Sequence, residues 1–560
     1  MSKRAKSGAD LAASDPGPAR LGGLSVLLSL GSLLYYFQRG DILMHGDATA
    51  HINIARRVFD SLTPGPLQLG TVWLPLPHLL MMPFLVSDSL WQSGVGGSIP
   101  SMGAYIAGTI GMFRLVRGIL RDVASPARDE MGEVGAWLAA LVYALNPNLL
   151  YMQATALTEP LYLAFFIWAL VYFAEFLRTA STGEGVLGSK SAERANLWKC
   201  AACIACAEMS RYDGWFLALA IGAIVGVMAI RRWDDGTLRR TALKFLLVLA
   251  IAPAIWLVYN AAVYKNALEF ANGPYSARGI EDRVGAPYPG HHNVWVASEY
   301  FLKSAQANLA VGNWGRFWLL GAVAATVFGL WRLRGPRARL MLVLLWSPLA
   351  FYALSIGYGS VMIHVPMWWP FAIFNQRFGL ELLPLFTVSV GIIVGVDLGR
   401  GTAWKTWGVP IVALVLIAVS YAYVWKEGPL CWQEAFRSWE TRRSIDTAVG
   451  RALIHLPPES RLLMDTGEHV GALERVGIPL RRFVNSENQR VWKRPEDPDG
   501  LWARALADPP RYVDYAVTFE GDVVDRRLNR KDLTLLTEIH VWGQPPARIY
   551  MARGHGDLSQ

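Results

Sequence analysis

Eleven apolar runs recur along this chain, and their length constrains the fold more than any single motif does. They lie at 21–38, 103–120, 134–152, 160–177, 197–210, 213–230, 241–262, 314–331, 339–357, 379–396 and 407–425. A helix of about 20 apolar residues crosses a hydrocarbon core of roughly 30 Å. Only 17% of the residues are charged, against roughly 25% in soluble domains. The expectation is a polytopic α-helical membrane protein of about 11 transmembrane helices. The formal charge of +9 does not point to nucleic acid, because Lys and Arg collect in the short loops between runs.

Those loops set the orientation. Basic residues gather in the first six residues and Arg20, then at Arg114, Arg117 and Arg121, between Arg178 and Lys199, at Arg231 and Arg232, across 331–339, and at Arg400 and Lys405. With eleven spans all of these fall on one face, which the positive-inside rule makes cytoplasmic. The first run is read as a retained span, since no small-residue cleavage site precedes "QRGD". The run "VWLPLPHLLMMPFLV" (72–86) holds three prolines. It is expected to be re-entrant or interfacial, where broken backbone is tolerated; an ordinary kinked span is the alternative.

The organisation that follows is a cytoplasmic tail (1–20), a transmembrane domain (21–426) and a C-terminal domain (427–560). The transmembrane domain carries a first outer loop at 40–102 and a long outer loop at 263–313. The C-terminal stretch is polar, with short β-rich runs at 461–465, 512–519 and 546–552, which predicts a small extracytoplasmic α/β domain.

Several ionisable residues stand at the outer ends of spans, where charge is costly and usually functional. Asp47 follows the first span and Glu159 opens the fourth. Asp47 also suits the N-cap of a helix over 48–60, and Glu159 before Pro160 suits a helix start. Arg56, Arg57, Arg211 and Arg377 belong to the same face. Acids facing fixed cations suit a reaction in which a base deprotonates a hydroxyl and an anionic leaving group departs.

Four stretches in this order, "GDATAHINIARR" (46–57), "NPNLLYMQATALTEPLYL" (146–163), "SRYDGWFLALA" (210–220) and "NQRFGLELLPL" (375–385), resemble the GT-C superfamily of membrane glycosyltransferases. Within it, protein O-mannosyltransferases and lipid A aminoarabinose transferases are the nearest in pattern. The resemblance covers roughly residues 20–425. It implies a polyprenyl-phosphate-linked sugar as donor, Asp47 as catalytic base, Glu159 as the second acid, and arginines (Arg56, Arg57, Arg211, Arg377) on the donor phosphate. The acceptor is a lipid, glycan or protein hydroxyl outside a bacterial plasma (inner) membrane, and direct displacement inverts the anomeric centre.

Many relatives carry adjacent acids in the first loop, whereas Asp47 stands between Gly46 and Ala48. No cofactor is therefore assigned, and a divalent metal stays open. His45, His51, His291, His292 and His364 match no metal spacing, so hydrogen bonding is their expected role. His51, Tyr275, His291 and His292 are candidates for substrate contact, and Trp368 and Trp369 for stacking on a sugar. The run Cys200, Cys203 and Cys206 lies in an Ala-rich helix, where small residues serve close packing. A transporter or flippase of lipid-linked or envelope intermediates is the alternative function. It would place its ionisable groups nearer the midplane and often shows repeats.

Overall fold

The computed structural model describes residues 16–121, 129–181, 187–285, 287–333, 335–395, 403–440, 442–493 and 497–552. Among the described residues each expected run falls on helical segments, and 134–152, 339–357 and 379–395 each divide between two of them. Among the described residues nine helices are long and apolar enough to cross a membrane, or ten if the pair Gly132–Ala144 and Pro147–Gln153, bent by 59°, is counted as one span. The bend falls at Asn146–Pro147, where Asn146 caps the second piece by accepting from Leu149 N. The eleventh expected span, 197–210, is the apolar half of helix Leu187–Glu208, whose first half carries Glu193 and Arg194. Segment 72–86 forms the ten-residue helix Leu76–Leu85. At 1.5 Å per residue that is about 15 Å, half a hydrocarbon core.

Small residues bring the spans into close contact. A Cβ on Gly135 would lie 2.7 Å from the Gly391 carbonyl, so helices Asp129–Ala144 and Leu383–Gly395 meet backbone to backbone, as small-residue interfaces allow.

The C-terminal domain is built on a five-stranded sheet in the order β2-β1-β3-β5-β4. The strands are β1 Leu462–Leu463, β2 Phe483–Val484, β3 Tyr515–Phe519, β4 Leu533–Ile539 and β5 Ala547–Ala552. β1 runs parallel to β2 and β3, while β5 is antiparallel to β3 and β4. Short helices between the strands complete an α/β unit.

The last span, Ala403–Glu427, joins this unit through Gly428, whose φ of 86° breaks the helix before Leu430–Glu440. Glycine enters that left-handed region at no steric cost. The break turns Leu430–Glu440 back over the end of the bundle. There Cys431 N donates to Asn148 Oδ1 at 2.9 Å and Trp432 Nε1 to Asp41 Oδ2 at 2.8 Å.

The first loop is clasped from the same direction. Asp60 accepts from Arg56 Nε (2.9 Å), from Arg481 Nη1 (3.2 Å) and from the backbone N–H groups of Leu480 and Arg481. Asn53 donates to Glu474 (3.3 Å) while accepting from Trp91 Nε1 (3.1 Å). The loop helix Gly46–Arg57 is therefore fixed between bundle and C-terminal domain.

Candidate active site

Loop helix Gly46–Arg57 begins at His45, whose Nδ1 accepts from Asp47 N at 3.2 Å. His45 is thus the N-cap in place of Asp47, and the Asp47 carboxylate is released for other contacts. It meets Arg377, which stands in the 3₁₀ turn Gln376–Leu382 at the start of helix Leu383–Gly395.

That turn is held from outside. Ser304 Oγ and Asn308 Nδ2, on helix Val294–Leu309, both donate to Gln376 O at 2.5 and 2.7 Å. A Cβ on Gly379 would lie 2.4 Å from Ala305 N, so only glycine permits this approach. Long loop 263–313 contributes through that helix.

Arg377 is the hub of the site. Its Nη2 pairs with Asp47 Oδ2, its Nε with Glu159 Oε1 at 3.1 Å, and its Nη1 with Glu434 Oε1 at 2.6 Å and His45 Nε2 at 3.1 Å. Arg211 shares the same Glu159 oxygen through Nη1 (3.0 Å), and that nitrogen also reaches Thr158 Oγ1 at 3.3 Å. Its Nε meets Asp213 Oδ2 at 3.1 Å, and Nη2 meets Glu381 Oε1 at 3.0 Å and Tyr352 OH at 2.8 Å. Tyr352 OH lies 2.7 Å from Glu381 Oε1. The cluster sets two guanidiniums against five carboxylates (Asp47, Glu159, Asp213, Glu381 and Glu434), and the acids come from five separate elements.

Depth distinguishes these acids. Glu159, Asp213 and Glu381 are sealed, and each keeps one oxygen without a partner. The Asp47 side chain is 36% exposed, so Asp47 is the carboxylate that an incoming molecule meets. Burial raises its pKa, but Arg377, His45, His51 and Arg211 lower it by more, and the net value lies below the usual aspartate range. Asp47 is ionised at neutral pH.

His51 stands one turn further along the same helix face, with Nδ1 2.9 Å from His78 Nε2 and Trp73 against its ring at 4.6 Å. Burial pushes its pKa down to about 4 against the opposing pull of Asp47 and Glu159, so its imidazole is neutral. Among the described residues no group of three or more His, Cys, Asp or Glu is arranged to hold a metal ion.

The remaining sequence candidates lie elsewhere. Arg56 is bound to Asp60, to Asp88 (2.6 Å) and to the Leu85 carbonyl (2.6 Å), which fastens the loop helix to Leu76–Leu85 and its successor. Arg57 donates to Gln68 O at 2.7 Å and faces Glu487 at 3.8 Å. Tyr275 lies beneath Arg283 (5.7 Å to the ring). His291 stacks on His292 and faces Glu281 at 3.4 Å, and His292 N donates to Gly357 O at 2.8 Å. His292 thereby meets the end of helix Ser347–Tyr358, the helix that carries Tyr352 into the cluster, and its ring lies 5.8 Å from that of Tyr358. Of the candidates, the structure therefore joins Asp47, Glu159, Arg211 and Arg377, with His51 alongside.

It adds Asp213, Tyr352, Glu381 and Glu434. Asp213 and Glu381 lie inside the quoted stretches, and a charged residue at the end of an apolar run was the available signal. Glu434 has no such local mark.

No family model and no curated protein matches the chain. Solved structures do. ArnT from Cupriavidus metallidurans, a lipid A aminoarabinose transferase crystallised with undecaprenyl phosphate, superposes with a TM-score of 0.52 at 14% identity. The match covers 94% of this chain and 98% of that one. The Archaeoglobus fulgidus oligosaccharyltransferase tethered to an acceptor peptide gives 0.48 at 11% identity, covering 90% and 69%. An identity of 14% establishes the fold and nothing finer. The chain is a polytopic membrane protein of the GT-C fold, closed by a small C-terminal α/β domain.

Proposed function

We propose that this protein is a membrane glycosyltransferase that moves a sugar from a polyprenyl-phosphate donor to an acceptor hydroxyl at its extracytoplasmic face. The observation that carries this reading is the Asp47–Arg377 pair: an ionised, partly exposed carboxylate joined to a buried guanidinium at the rim of the bundle. The GT-C fold and the undecaprenyl phosphate bound by ArnT support the donor class.

The chemistry can be assigned group by group. The acceptor oxygen attacks the anomeric carbon while its proton passes to Asp47, and the bond from that carbon to the phosphate oxygen breaks. Polyprenyl phosphate leaves with the electron pair, and attack opposite the leaving group inverts the centre.

An arginine has five N–H donors. Arg211 donates to Asp213, Thr158, Glu159 and Tyr352 and faces Glu381 at 3.0 Å, so each of its three nitrogens meets a partner in the sealed part of the cluster. Arg377 donates to Glu159, Glu434 and Asp47 and keeps an N–H on Nη2, beside the partly exposed Asp47. We therefore assign the donor phosphate to that N–H of Arg377, and Arg211 to holding the acids in place. Glu159 joins the two guanidiniums and fixes their spacing.

Mass spectrometry of lipid-linked sugars and envelope glycans in a deletion strain tests the reading. Accumulation of one polyprenyl-linked sugar with loss of one glycan is the expected result. Unchanged pools of both would overturn it, and a displaced but chemically complete lipid intermediate would favour the flippase alternative.

A further inference from the structure

We propose that Glu434, an acid of the helix beyond the last span, is a positioning residue of the active site that aims Arg377 at Asp47. This rests on the reading of Asp47 as base.

Three contacts carry it. Glu434 Oε1 accepts from Arg377 Nη1 at 2.6 Å and from Asn375 N at 3.0 Å, and Oε2 accepts from Arg377 N at 3.3 Å. One carboxylate thus binds both the guanidinium and the backbone of the turn that presents it. Asn375 sits at φ 54°, in the left-handed region, and its N–H would have no partner there without Glu434. Asparagine tolerates this conformation better than most residues, and the carboxylate supplies the rest.

The consequence is geometric. A guanidinium is a planar fork, so holding Nη1 and Nε fixes where Nη2 points. Glu434 holds Nη1 and Glu159 holds Nε, leaving Nη2 for Asp47 and the open N–H. Removing the Glu434 charge releases Nη1 and lets the fork turn about Nε, so that Nη2 and its open N–H no longer face Asp47 and the donor phosphate together. The charged and titratable groups that face Glu434 are Arg377, His45 at 3.7 Å, Cys431 one turn earlier on its own helix, and Tyr151 on helix Pro147–Gln153. The aiming is thus carried chiefly by Arg377.

The test is a double-mutant cycle in membranes of the deletion strain, supplied with the lipid extract that accumulates in that strain. Transfer is measured for Asp47→Asn, Glu434→Gln and the double variant, alongside melting in detergent. Because Glu434 acts through Arg377 on Asp47, Glu434→Gln should lower turnover at saturating donor about tenfold and raise the donor KM, since the open N–H of Arg377 moves with the fork. The double variant should be no slower than Asp47→Asn alone, as residues acting as a unit are non-additive. A purely structural acid would instead lower the melting temperature and multiply the losses.

Wild-type turnover in Glu434→Gln, or losses that multiply in the double variant, would overturn the proposal. Wild-type turnover in Asp47→Asn would overturn the base assignment beneath it. If Glu434→Gln does not fold, Glu434→Asp decides. A folded variant with reduced turnover supports positioning, and wild-type turnover there refutes it.

Discussion

Arg56 follows Asp47 by nine residues, which is two and a half turns of a helix with 3.6 residues per turn. The two side chains therefore leave the loop helix on opposite sides. His51, four residues after Asp47, shares its face. This was readable from the sequence, and it explains why Arg56 anchors the helix to Asp60 and Asp88 while Asp47 enters the cluster. Membership of one membrane face says nothing about which way a side chain points. The arginines have different settings, and the proposed roles follow them. Arg211 holds Glu159, Asp213 and Glu381 in a sealed setting, and removing one partner of a buried ion pair costs roughly 3–5 kcal/mol. Arg211→Gln should therefore lower the melting temperature and the yield of monodisperse protein; a variant as stable as wild type that had lost only donor affinity would contradict the assignment. His51 is neutral with its pKa near 4. The pH–rate profile should accordingly lack a limb near 6.5 from this residue, and His51→Gln should leave the profile's shape between pH 5.5 and pH 8 unchanged. Loss of such a limb in the variant would show that His51 titrates in turnover.

At the scale of elements, apolar length was legible and polar partnership was not. The expected spans lie on helices because a run long enough to cross a bilayer has few alternatives. Helix Leu187–Glu208 reads poorly because only half of it is apolar. In the C-terminal domain the runs at 461–465, 512–519 and 546–552 match β1, β3 and β5. β2 is two residues long and β4 is an edge strand exposed over much of its length, so neither has a clear pattern. Glu434 belongs to a polar helix among several acids, and its partner Arg377 is 57 residues away; no local periodicity marks such a contact. Glu474 behaves similarly on helix Gly471–Val476. It is 1% exposed and packed against the loop helix, with Asn53 as its hydrogen-bond donor. Burial raises its pKa from 4.5 to about 8, outweighing Asn53 and Arg475. The folded protein therefore retains a proton that the unfolded chain loses above about pH 4.5. Stability should fall as pH rises from there to about 8, by up to a few kcal/mol. Glu474→Gln removes that dependence: near-neutral at pH 5, it should melt at a higher temperature than wild type at pH 8–9. An equal effect at both pH values would show that Glu474 is not held neutral.

The whole molecule joins a bundle, a first loop and a C-terminal domain around one charged cluster, and this arrangement requires the loop and the domain to share a side of the membrane. A Cβ on Gly46 would lie 3.5 Å from Ser438 Oγ, close enough for a disulfide between cysteines at the two positions. The pair Gly46→Cys and Ser438→Cys should cross-link on mild oxidation in intact membranes, detected by gel shift after cleavage of the intervening chain. Opposite accessibility of the two cysteines to an impermeant label would refute the shared side. The central claim, that Asp47 is the base of a sugar transfer, has a more direct test. Asp47→Asn keeps the side chain's size, and His45 rather than Asp47 caps the helix, so the substitution removes little but the proton acceptor. General-base contributions amount to roughly 10²–10⁴-fold. Measured as glycan formed per folded enzyme in the complemented deletion strain, Asp47→Asn should lose about that much, with the lipid-linked sugar accumulating as in the deletion and the melting temperature close to wild type. Restoration of the glycan at the wild-type rate would contradict the claim.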